Sequence, residues 1–484
     1  MTALKKLFQH TFIYGLATVL PRMLSFLLVP LYTAVLPTSE FGEISIVFSW
    51  IILFNVILAY GMETAFFRFF TKENNKSAVV STSTISLIFT TLLFLAAAFT
   101  FREGLSALSG IAVEFVTYTI FVLTLDALVI IPFAWLRANE KPVRYAVIKI
   151  FNVSVNLGLN VFFLLALPEL AGDGLWSTIY IEGFELSYIF ISMVSASALT
   201  FLLLLPFYFN LVYKFSKPLW VEMMRYAYPV LIAGIAFAIN EAFDRILLGW
   251  LLPPGIAEEA VGAYAACYKL AIFMTLFATA FRLGIEPFFF SQAKEKNAPE
   301  TYALITRYFI AFGSVILITV VVFADVLKII LIRDSDYWVA MKIVPLILLA
   351  NFFLGIYHNL SVWYKVTDRT KFGAYISIVG AVITLVINFT LIPSMSFMGS
   401  AIATLAAYGS MMLISYYYGQ RFFPIPYDVK KIGIYLMGSV LVSALSFYFF
   451  RNIYELTIPL WLGFLTLVLV QEKQAVKQLL RFKK

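Results

Sequence analysis

The chain has 484 residues, 62% of them hydrophobic and only 13% charged, with a formal net charge of +8. Soluble domains carry about 25% charged residues, so a soluble enzyme of this size is excluded. A membrane helix needs about 20 apolar residues, and this composition provides for many spans with little left over for an extramembrane domain.

Read in chain order, apolar runs between polar breaks predict fourteen helices, at 11–36, 41–67, 78–101, 112–136, 143–167, 184–209, 226–251, 261–285, 302–323, 338–364, 372–392, 397–420, 432–450 and 456–470. The first is expected to be an uncut helix rather than a signal peptide. Pro21 and Arg22 interrupt it and no small-residue cleavage site follows. Pro30, Pro132, Pro229 and Pro345 are expected to bend their helices, and Asn156, Asn160, Asn240 and Asn388 to hydrogen-bond between helices.

Most of the 35 Lys and Arg residues fall in the tails and the even-numbered connections, Lys149 being assigned to one of these connections. Only Arg102, Lys328, Arg333, Lys342 and Arg451 fall in the odd-numbered ones. The positive-inside rule then predicts both termini in the cytoplasm. The longest outer connection, near 168–183, carries Glu169, Asp173 and Glu182 but no base.

The chain repeats itself. GMETAFFRFFTKEN at 61–74 matches GIEPFFFSQAKEKN at 284–297, and WLRANEK at 135–141 matches WYKVTDR at 363–369. Asn160 and Asn388 open similar runs, and LPTSEFGEIS at 36–45 resembles LPPGIAEEAVGAY at 252–264. Both copies start on the same side, so the repeat is parallel. The expected organisation is a six-helix lobe over 1–218, a second over 219–425, and two further helices with a basic cytoplasmic tail over 426–484. Such a pair of lobes suggests alternating access.

Charges inside a bilayer are costly and face a cavity or a partner. Arg22 and Lys269 have no acid three or four residues away, and an unpaired buried cation suits a phosphate. Arg245 can pair with Glu241 on one helix face. Asp126 has no same-helix partner, while Glu63 and Glu286 are repeat mates expected to bind backbone groups or the nearby Arg68 and Arg282. His358 is read as packed or water-facing. One cysteine, Cys267, and two histidines exclude an internal disulfide and disfavour a metal site. No nucleophile elbow, nucleotide loop or sugar-nucleotide motif appears, so neither catalysis nor a cofactor is expected, and the basic charge is orientation signal rather than a nucleic-acid surface.

The stretches DRILLGWLLPPGIAEEAVGAYAACYKLA at 244–271 and VITLVINFTLIPSMSFMGSAIATLAAY at 382–408 resemble the polysaccharide transporter family, as does the opening through FGEIS. These are the lipid-linked oligosaccharide flippases of the multidrug/oligosaccharidyl-lipid/polysaccharide exporter superfamily. The resemblance implies an all-α, MATE-like fold in the bacterial inner membrane. It also implies movement of undecaprenyl-diphosphate-linked glycan from inner to outer leaflet, with the glycan polymerase machinery as a further partner. On this reading Arg22, Arg245 and Lys269 offset the diphosphate charge, while Asp126, Glu241 and Asp244 are candidates for a coupling proton or sodium ion. Other readings are an ion-coupled drug antiporter, whose site should be net acidic, and a membrane glycosyltransferase or polymerase, which should show a large outer loop. A scaffold or channel is disfavoured by the repeat.

Overall fold

The computed structural model describes residues 19–172, 174–292, 295 and 297–473. The start of the first helix, Asp173 and the basic tail lie outside the described residues. The described chain is helical, and twelve of its helices are long and apolar enough to cross a membrane. These are α2 (Thr38–Lys72), α3 (Lys76–Thr100), α4 (Val113–Ala138), α5 (Pro142–Leu170), α6 (Glu185–Phe209), α8 (Ile256–Glu286), α9 (Ala298–Val322), α10 (Ser335–Val366), α11 (Lys371–Met395), α12 (Phe397–Phe422), α13 (Val429–Phe449) and α14 (Tyr454–Gln471). The shorter α1 (Val19–Val35) and the longer, more polar α7 (Lys217–Leu251) complete the fourteen that the hydropathy pattern predicts.

Several helices break where the sequence removes a backbone donor. Pro30 has no N–H to offer the Phe26 carbonyl, and α1 turns at Leu27, whose N–H bonds Leu24 O at 3.0 Å. Pro132 frees the Leu128 carbonyl in the same way. α4 turns at Val129, and the Tyr208 hydroxyl from α6 donates to that freed oxygen. α2 breaks without a proline, at Tyr60 (φ 32°) and Gly61 (φ 74°). A left-handed tyrosine is strained. It is held by its buried ring and by a 2.8 Å hydrogen bond to Ser86, which also accepts from Trp220 Nε1 at 2.9 Å. A Cβ on Gly61 would lie 2.5 Å from Ala227 O, so glycine serves both the conformation and the close approach of α7.

The chain forms two compact units, residues 1–262 and 263–484. α7, expected to open the second lobe, packs in the first unit against both segments of α2. The core of the first unit joins Phe66, Phe69 and Phe70 to Met223 and Ala227, with Trp135 and Trp220 packed against it. In the second unit Trp363, Tyr357, Tyr364 and Tyr408 form a core cluster. The repeat-related Trp135 and Trp363 thus occupy cores of their respective units.

Two short helices absent from the hydropathy reading, Arg102–Ser109 and Ala324–Leu331, follow α3 and α9 at repeat-equivalent places. The second carries Asp325, whose carboxylate accepts from Arg451 Nε and Nη2, both at 2.8 Å, and pairs with Lys328 Nζ at 2.5 Å. The Arg451 hydrogen bonds, reinforced by Lys328, hold the Asp325 carboxyl below its ordinary range. Its contribution to stability is therefore complete above about pH 4, the unfolded value, and is lost as pH falls through the lower folded value. Asp325→Asn should cost about 1 kcal/mol at pH 7, since Arg451 is partly exposed. The gap in melting temperature between variant and wild type should narrow as pH falls below about 4 and close once the folded carboxyl is protonated.

Candidate functional site

The first unit holds a line of charges inside its helices. Asp126, in the middle of α4, accepts a 2.9 Å hydrogen bond from Ser197 on α6. Asn55 of α2 also hydrogen-bonds it, and it lies in the field of Lys149 on α5. Lys149 in turn interacts with Glu63 and Arg137, and its Nζ stands 4.3 Å from the Phe133 ring centroid. Arg137 on α4 closes the series with a 2.9 Å ion pair to Glu63 on α2. Acid and base alternate along the series, from Asp126 among the helices to a Glu63–Arg137 pair whose side chains are 44% and 42% exposed.

Lys149 corrects the charge assignment, which counted it with a basic connection although the predicted helix at 143–167 contains it. It lies seven residues past Pro142, the first residue of α5, or roughly 10 Å into the helix at 1.5 Å per residue. The partner of Glu63 is a second correction, being Arg137 rather than the same-helix Arg68, which stacks on Tyr226 at 4.2 Å.

The second unit repeats this pairing. Glu286 of α8 binds Lys365 of α10 at 2.5 Å. Glu63 and Glu286 are repeat mates, as are Arg137 and Lys365. Each unit therefore joins the same two positions of its copy by an acid–base pair. The expected Arg282 is a neighbour in the small pocket formed with Glu286, His358, Asn359 and Lys365. The asparagines correspond too. Asn160 bonds the Asn156 carbonyl at 2.8 Å and accepts from Tyr32 at 2.9 Å, while Asn388 bonds the Thr384 carbonyl at 2.7 Å and accepts from Ser400 at 2.8 Å.

The remaining candidates divide as follows. Asp244 and Arg245, consecutive on α7, form a 3.0 Å ion pair, and Arg245 Nη1 reaches the Glu241 carbonyl at 3.3 Å. Asp244 is thus one carboxylate partner of Arg245, and Glu241 offers it a backbone oxygen as well. Arg22 lies on α1 of the first unit with its side chain exposed. Lys269 belongs to the second unit. It opens a short 3-10 stretch, Lys269–Ala271, that interrupts α8, and it is exposed while Cys267, Leu270 and Ala271 around it are buried. A 3-10 turn is wound more tightly than an α-helix and keeps the backbone hydrogen-bonded, as a membrane helix requires. Among the described residues, no group of three or more His, Cys, Asp or Glu side chains is placed to hold a metal.

A model of the polysaccharide biosynthesis protein family matches residues 7–281, more than half of the chain. The chain belongs to the polysaccharide biosynthesis protein family. A MatE family model matches residues 229–390 of this family member. Its fold is shared with the lipid II flippase MurJ in an inward closed conformation, at a TM-score of 0.73 and 14% identity, over 96% of this chain and 100% of that one. An inward-facing multidrug resistance MATE transporter of the MOP superfamily matches at a TM-score of 0.65 and 12% identity, over 85% and 94% of the two chains. An outward-facing MATE transporter of that superfamily matches at 0.56 and 14%, over 86% and 95%. No curated protein matches by sequence. The chain is thus all-α with a MATE-like fold, and its twelve long apolar helices are those of a multi-pass membrane protein.

Proposed function

We propose that this chain is a flippase for undecaprenyl-diphosphate-linked oligosaccharide, moving the glycan head from the inner to the outer leaflet of a bacterial inner membrane by alternating access. Membership of the polysaccharide biosynthesis family supports a saccharide cargo. The exposed Lys269 at the interrupted turn of α8 is the observation in the molecule that supports it. A charge in hydrocarbon costs about 3 kcal/mol or more, so an exposed ammonium at this depth favours a wet surface to which a diphosphate can be drawn. Arg22, exposed on α1 of the first unit, is the second proposed contact. Arg245, ion-paired with Asp244, is the third proposed contact. Asp126 is the proposed site of the coupling proton or sodium ion, because Ser197 and Asn55 leave it polar company without a direct ion pair. Glu241 and Asp244 come after it. The reading is of transport rather than catalysis, with no cofactor, both termini in the cytoplasm and the glycan polymerase machinery downstream.

In cells deleted for the gene, undecaprenyl-linked glycan should accumulate and be cleared by the wild-type chain. Arg22→Ala and Lys269→Ala should each lower export of surface polysaccharide at least roughly tenfold with unchanged amounts of protein in the membrane. Full export by both variants refutes the cation contacts. The match to the MatE model favours one other reading, drug antiport. It would show as cation-drug efflux from vesicles without accumulation of lipid-linked sugar on deletion.

A further inference from the structure

Apart from this charge network, the first unit contains a cleft of about 360 Å³ where α2, α3, α4, α5 and α6 end or begin. We propose that this cleft binds the phosphate of an anionic membrane phospholipid, with an acyl chain lying along its apolar wall. Its wall is aromatic and aliphatic, drawn from Trp135 and Leu136 of α4, Leu204 and Phe207 of α6, and Leu211 and Val212 beyond it. Its charged members are Lys76, at the start of α3, and Arg144, in the first turn of α5; no acid lines it. Lys76 lies over Phe70, 5.1 Å from the ring centroid. Neither base forms an ion pair among the described residues. Two uncompensated cations beside an apolar floor match a lipid phosphodiester above its hydrocarbon, and basic pockets between membrane helices select such headgroups. The ends of the cleft are held in place. The connection after α6 is pinned to α3, with Lys214 N–H donating to Ser81 Oγ at 2.7 Å and Ser216 N–H to Thr82 Oγ1 at 3.2 Å. Beside it Phe209 and Tyr213 are exposed, as suits side chains at the headgroup level. The cleft lies within one unit and takes a lipid whether or not the chain flips glycan.

The test is native mass spectrometry of the full chain titrated with palmitoyl-oleoyl phosphatidylglycerol, phosphatidylcholine of the same chains, or inorganic phosphate. Phosphatidylglycerol should bind roughly tenfold more tightly than phosphatidylcholine, and inorganic phosphate at millimolar concentration should not displace it. The Lys76→Gln/Arg144→Gln double variant, altered only at exposed positions, should lose that preference, as should Val212→Glu, which adds an acid to the wall. Their melting temperatures in phosphatidylcholine serve as the folding control. Unchanged preference in the double variant overturns the proposal. So does tighter binding of undecaprenyl phosphate than of phosphatidylglycerol, which would assign the cleft to the carrier of the transported cargo.

Discussion

Gly42→Ala should lower the stability of the purified protein by about 3 kcal/mol, at the upper end of what overpacking costs. The reason is a backbone-to-backbone contact. A Cβ on Gly42 of α2 would lie 1.9 Å from Glu258 O, and one on Gly262 of α8 would lie 1.9 Å from Thr38 O. Nothing larger than hydrogen fits either place, and the obstacle is main chain rather than a side chain able to rotate away. Small residues four apart allow this kind of approach between membrane helices, and here Thr38 and Gly42 face Glu258 and Gly262. Gly262→Ala should be similarly costly. Once the helices are forced apart the second methyl meets less resistance, so the double variant should cost clearly less than the two singles together. Gly284→Ala, with nothing within 4 Å of its Cβ, is the control and should be neutral or slightly stabilising. Thermal unfolding in detergent, read by loss of the monodisperse peak, measures all four. Unaltered melting of Gly42→Ala would contradict the contact.

Lys149→Met should destabilise by about 2 kcal/mol, because it leaves the buried Asp126 and the Glu63–Arg137 pair with one uncompensated negative charge. Adding Asp126→Asn restores neutrality at nearly constant volume and should recover most of that loss. Export separates the structural role from the proposed coupling role. If Asp126 carries the ion, the stable double variant still fails to export glycan. If it exports normally, Asp126 and Lys149 serve folding alone and the coupling site must be sought at Glu241 or Asp244.

The helices were legible because each needs an apolar run of about 20 residues, and fourteen such runs are plain. Their ends were less so. α7 was predicted to begin at 226, but it begins at Lys217, because Glu222 and Arg225 dilute the first turns without breaking the helix. Lys149 was misplaced for a related reason. It follows Lys141 and Arg144 so closely that it is counted with the loop charges, although the predicted helix at 143–167 already contains it, as the observed α5 does. Asp126 was recognisable as an intramembrane acid, yet its partners come from α2, α5 and α6, and helical periodicity carries no information across helices. The Glu63–Arg137 and Glu286–Lys365 pairs are a partial exception. All four residues sit in repeated motifs that the sequence shows. What was missing was that an acid in one motif meets a base in the other, a fact of packing between α2 and α4, or between α8 and α10, rather than of spacing.

Gly42 and Gly262 are themselves repeat mates, and each presses on a residue four positions before the other. If the copies arose by duplication of one ancestral segment, most positions have since been at liberty to diverge separately. At this crossing they have not, because enlarging either member of the duplicate pair injures both. Neither copy can take a side chain at this place, so the two positions are constrained together rather than one at a time.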